Sequence, residues 1–179
     1  NIPQGIKRVT AYLGALRDTA NAVAVFSGAP LAERRLLMEL PARAAAAGLS
    51  GLFADFVSLF TSSEVSDENF TAWVSSYVGI FEALKQSTTA PVSLSPYRRG
   101  YYEKALNALY PHSPAAAVWL MVYTWTKAAA ALPRTEQPYK DWQELCRQLD
   151  LESRDLPTRL ELFDAVLDTV EEAVDHLSA

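Results

Sequence analysis

The chain has 179 residues, of which 50% are hydrophobic and 21% charged. That balance excludes a disordered segment and suits one packed domain able to bury roughly 70% of its unfolded surface. A net charge of −5 and an isoelectric point near 5.1 exclude a general nucleic-acid binder, which needs a basic face to displace counterions.

The lone cysteine, Cys146, leaves no internal disulfide framework. With no signal-peptide pattern and no membrane span in the sequence, the expectation is a reducing, cytoplasmic setting. Only 7 glycines, together with long alanine-rich segments, favour helix over sheet.

In chain order, 3–27 reads as a first helix opened by Pro3. Ile6, Val9, Leu13, Leu16, Ala20 and Val23 form its apolar stripe, and Gly28 with Pro30 ends it. A short helix is expected over 31–40, carrying Arg34 and Arg35, with Pro41 kinking it or starting another through Ala47. The segment 51–60 presents a broad apolar face of Leu52, Phe53, Phe56, Leu59 and Phe60. Ser66, followed by Asp67 and Glu68, then caps a helix that runs to about Lys85. Its Phe70, Trp73, Val74, Tyr77, Phe81 and Leu84 recur at core-facing spacing.

The stretch 86–95 resembles a linker and marks an internal joint, although no repeat relates the two halves. Ser95-Pro96 opens a helix through about Leu109, and Ser113-Pro114 opens the next. From Ala115 to Trp125 only Thr124 interrupts an apolar run that covers every face of the helix, so the helix must be enclosed on nearly all sides. The run is too short to cross a bilayer, which needs about 20 residues.

Pro138 starts a helix through Leu149, with Trp142 and Leu145 inward, and Pro157 opens the last one. There Leu160, Phe163, Val166, Leu167, Val170, Val174 and Leu177 keep a nearly seven-residue rhythm. The fold expectation is therefore all-α: a single-domain irregular bundle of about seven to nine helices around a buried central helix, Ser113–Leu132.

Chemistry is sparser. The last helix carries a face of Glu161, Asp164, Asp168, Glu171, Glu172 and Asp175, and acids near a helix C-terminus oppose the dipole. This face is either solvated or a dock for a basic partner or for the protein's own arginines. Tyr97, Arg98, Arg99 and Tyr101 stand at a helix start, where cations are disfavoured and an anion would offset the cost. His112 sits in the Tyr110-Pro111 corner, where a backbone contact is favoured over a base, and it joins Tyr97, Arg98, Arg99 and Tyr101 as a candidate for ligand or partner binding.

Glu172 and His176 make one acid–histidine pair, short of the two E-x-x-H pairs of a di-metal bundle, and the chain holds only 2 histidines. No metal and no cofactor is therefore expected. Trp73, Trp119, Trp125 and Trp142 fit core packing or an aromatic pocket. The sequence carries no P-loop, G-x-G-x-x-G, G-x-S-x-G, H-E-x-x-H or kinase signature, and the balance leans away from an enzyme.

The expected function is a non-catalytic helical interaction domain with a protein partner, with no nucleic acid or membrane involved and self-association compatible with the sequence. By general shape alone, without a motif, the chain is similar to the ligand-binding halves of helical repressors and to the helical substrate domains of nucleotidyltransferases. That likeness implies the alternative: a domain binding a small anionic molecule, sensory or accessory to a nucleotidyltransferase-like catalytic partner.

Overall fold

The computed structural model describes residues 4–61, 65–152 and 156–178. Eight α-helices follow one another, with no strand among the described residues: α1 (Gln4–Ala24), α2 (Leu36–Ala46), α3 (Leu52–Ser58), α4 (Asp67–Ala83), α5 (Arg99–Leu109), α6 (Pro114–Ala129), α7 (Gln137–Gln148) and α8 (Leu156–Ser178). The molecule is an all-α bundle. Pro3, expected to open α1, lies outside the described residues.

The centre is α6. Every residue from Ala116 to Thr126 is buried, and α1, α2, α4, α5 and α7 all pack against this helix. Its two threonines are accommodated because each hydroxyl returns to its own helix: Thr124 Oγ1 donates to Leu120 O at 2.6 Å and Thr126 Oγ1 to Val122 O at 2.7 Å. Each threonine also receives an aromatic neighbour. Tyr77 OH lies 2.9 Å from Thr124 Oγ1, and Trp142 Nε1 donates to Thr126 Oγ1 at 3.0 Å.

The tryptophans are packing residues. Trp119, Trp125 and Trp142 are buried, with Trp119 set against Phe56, Phe60 and Tyr123 at centroid distances of 5.8, 5.5 and 5.4 Å. One cost is visible: Trp119 Nε1 has no hydrogen-bond partner in this enclosure.

Several local expectations change. The second helix begins at Leu36, so Arg34 and Arg35 fall in the turn before it, and it continues through Pro41. Among the expected serine caps only Ser66 acts as one, accepting from Asn69 N at 3.2 Å. At Ser95 and Ser113 no side-chain cap bond forms, and the following proline carries the start instead. Gly28 ends the first segment at φ 154°, and a Cβ there would lie 2.1 Å from Arg43 Nη1, so glycine admits the guanidinium.

On α8, Phe163, Val166 and Val170 are buried, but Leu160 and Leu177 stand 43% and 46% exposed, so the apolar rhythm overruns the surface it covers. The start of this helix is anchored by a buried polar knot. Tyr12 OH and Arg159 Nη1 both donate to Leu59 O, at 2.6 and 3.0 Å, and Arg159 Nη2 lies 3.9 Å from Asp150 Oδ2. The knot ties α8 to α1 and to the end of α3.

The stretch 86–95 is held rather than loose: Leu94 is fully buried and Ser87 Oγ donates to Ala131 O at 3.0 Å. One apolar cluster includes residues from both sides of it. Tyr77 of α4, for instance, meets Trp125 of α6 edge-on at 5.6 Å. Proteolytic cleavage within 88–93 is accordingly expected to give two fragments that co-elute on gel filtration and unfold together. Fragments that separate and each melt cooperatively would contradict this.

Candidate functional site

Two surfaces bring charged residues together, on different parts of the bundle. The first is basic and aromatic. The turn before α2 supplies Glu33 and Arg34, the turn before α5 supplies Arg98, α5 supplies Tyr101 and Tyr102, and the last turn of α6 supplies Lys127. These residues line a pocket of about 220 Å³. Arg34 Nη1 donates to Tyr101 OH at 2.9 Å, and its guanidinium carbon lies 5.3 Å from the centre of that ring. Arg98 stands 5.0 Å from the same ring and 5.9 Å from that of Tyr102, with Nη1 donating to Ser93 O at 3.4 Å.

Lys127 Nζ pairs with Glu33 Oε1 at 2.9 Å and sits 4.4 Å from the centre of the Tyr123 ring. Burial works to raise the Glu33 carboxyl, but the Lys127 hydrogen bond, a backbone hydrogen bond and the charges of Lys127 and Arg17 together outweigh it and hold that group below the usual carboxylate range. The carboxylate therefore stays charged at neutral pH and has no proton to give.

The expected residues divide around this pocket. Arg98 and Tyr101 line it, whereas Arg99, His112 and Tyr97 do not. Tyr97 is 99% exposed, Arg99 is exposed on the first residue of α5, and His112 is exposed with its backbone N–H on Leu109 O at 3.0 Å. Sequence reading missed Glu33, Arg34 and Lys127. No local signal marks them, because Arg34 meets Tyr101 across 67 positions of chain and Lys127 meets Glu33 across 94.

The second surface is the groove between α1 and α8, with a volume of about 420 Å³. Ala22, Leu167, Val170 and Val174 give it an apolar floor, and Asp18, Glu171 and Asp175 rim it. Val170 is buried, while Ala22, Leu167 and Val174 are only half-buried, so this part of the α8 stripe is covered on one side. Glu161, Asp164, Asp168 and Glu172 are exposed elsewhere on the helix. Among the described residues no ion pair reaches any α8 carboxylate. Arg98 and Arg99 pair with none of them, and Asp18 is held by its neighbour Arg17 at 2.7 Å.

Cys146 is fully buried, and burial first, then Glu152, pushes its thiol well above the ordinary value. A thiol kept neutral this way is a poor nucleophile. Among the described residues no three His, Cys, Asp or Glu side chains converge as a metal site would require, and no helix is long and apolar enough to cross a membrane. Comparison with protein-family models, with curated proteins and with solved structures finds no match.

Proposed function

We propose that the chain is a non-catalytic helical interaction domain that docks a protein partner in the α1–α8 groove, the partner presenting a cationic amphipathic helix. The observation that carries this reading is the half-covered apolar floor of Ala22, Leu167 and Val174 between carboxylates, of which Glu171 and Asp175 have no cation of their own among the described residues. An apolar helix face laid on that floor gains about 25 cal/mol for each Å² removed from water. Rim ion pairs add only about 0–1 kcal/mol each, so they set orientation and association rate more than affinity. From Leu167 to Val174 the floor runs about 10 Å, two helical turns, and exposed Leu177 continues the strip. A helix that lays leucines down and lysines outward is the shape that fits.

The test uses a fluorescently labelled peptide with leucine and lysine at helical spacing, and its counterpart with glutamate in place of lysine. The lysine peptide is expected to bind, more weakly as salt rises, and the glutamate peptide to fail. Reversing two rim charges together, Glu171→Lys with Asp175→Lys, should weaken binding about tenfold at low salt. Glu161→Lys, off the groove, should change it little. Equal binding of both peptides, or a groove that sedimentation shows closed by a second copy of the chain, would contradict the proposal.

A further inference from the structure

The basic pocket at the other surface raises a separate question, independent of the α1–α8 groove. In a chain of net charge −5, Arg34, Arg98 and Lys127 converge there against the single carboxylate of Glu33. Lys127 and Glu33 neutralise one another at 2.9 Å. Arg34 and Arg98 have no carboxylate within ion-pair distance among the described residues.

Both guanidiniums stand over one ring, that of Tyr101, at 5.3 and 5.0 Å. The two charges therefore lie within about 10 Å of each other, no more than a Debye length at moderate salt. The ring face attracts each cation, but it carries no net charge and does not cancel their mutual repulsion.

The donors are also available. Arg34 has one N–H engaged by Tyr101 OH and Arg98 has one engaged by Ser93 O, out of five on each guanidinium. The remaining N–H groups match the fork geometry that binds phosphoryl oxygens in pairs. The hydroxyl of Tyr101 holds Arg34 in place, while Tyr102 OH donates to Ser93 O at 3.1 Å and steadies the turn that carries Arg98.

We infer that this pocket is a binding site for a small phosphate monoester, with the phosphoryl group held between Arg34 and Arg98. Two features set the class. A phosphate monoester carries about −1.5 to −2 at neutral pH, which suits two unneutralised guanidiniums better than a single carboxylate does. A volume near 220 Å³ is below the roughly 300–1,000 Å³ of sites for drug-sized ligands, so the organic part must be compact. Lys127, neutralised by its pair with Glu33, is not a direct ligand.

Calorimetric titration of the full chain with inorganic phosphate, glycerol 3-phosphate, phenyl phosphate and benzoate tests this. All three phosphates are expected to bind, with benzoate at least about tenfold weaker. Arg34→Gln and Arg98→Gln should each weaken the phosphates about tenfold. Tyr101→Phe, which frees Arg34 without removing a charge, should weaken them severalfold. Arg99→Gln is the control, one residue along yet outside the pocket, and should leave affinity within about twofold; thermal melting of each variant confirms that it is folded. Absence of binding by every phosphate, benzoate binding as tightly as phenyl phosphate, or an Arg99→Gln loss equal to that of Arg98→Gln would overturn the inference.

Discussion

Replacing Trp119 with alanine is expected to destabilise the protein by about 3–5 kcal/mol, lowering the melting temperature by roughly 6–20 °C for a chain of this size. The indole is fully buried, and Phe56, Phe60 and Tyr123 close around it. Truncation leaves a cavity that α6 cannot collapse into, because this helix is held by five others. Phenylalanine provides the contrast. It keeps most of the ring contacts and removes an indole N–H that finds no partner, a group that costs about 1–3 kcal/mol when buried unpaired. Trp119→Phe should therefore lose clearly less than Trp119→Ala. Urea unfolding with an unchanged slope measures both. A loss below about 1 kcal/mol for the alanine variant would mean that α6 is not the rigid centre of the bundle.

A second large effect is expected at alkaline pH. Burial raises the Tyr12 phenol from 10.0 to about 12, with the Arg159 charge working in the other direction. Tyr77 is fully buried, and its phenol is also pushed well up by burial, against the opposing hydrogen bond with Thr124. In the unfolded chain both phenols release their protons near pH 10. Above that pH the unfolded state binds fewer protons than the folded one, so stability falls with rising pH. Both contributions are complete below pH 10; that of Tyr12 drains away between pH 10 and about 12, and that of Tyr77 goes on falling above this range.

At about 1.4 kcal/mol per unit, Tyr77 alone removes roughly 3 kcal/mol by pH 12. Urea midpoints are expected to decline steeply from pH 10 upward, with part of the phenolate absorbance appearing only as the fold is lost. Tyr77→Phe should flatten that decline. All phenols titrating near pH 10 with the fold intact would contradict the burial of these rings.

The all-helical bundle was legible because its strongest signal is insensitive to detail. An apolar run on every face of 115–125 has one solution in water, and the structure buries it from Ala116 onward. The amphipathic spacing of Phe70, Tyr77 and Phe81 was equally direct, since those positions are core whichever helix they meet. Caps were less legible. Ser95 and Ser113 precede proline just as a capping serine would, yet neither hydroxyl caps, because proline alone supplies the helical φ and needs no N–H partner.

The apolar rhythm of α8 was real but overstated its burial. Leu160 and Leu177 keep the period and yet remain exposed. The surfaces were only half visible. Arg98, Tyr101 and the α8 carboxylates announce themselves as local patterns. Arg34 and Lys127, and likewise Asp18 and Ala22 on the facing wall of the groove, arrive from distant segments that only packing brings in.

Backbone amide NMR of the labelled chain shows whether the groove between α1 and α8 receives a cationic amphipathic helix. Titration with the leucine–lysine peptide is expected to shift the amides of Ala22, Leu167, Glu171, Val174 and Asp175 while leaving those of α5 in place. In the Glu171→Lys, Asp175→Lys variant the same shifts should need about tenfold more peptide at low salt. Shifts centred on Arg98 and Tyr101 instead, or none at any residue of the groove at saturating peptide, would contradict it.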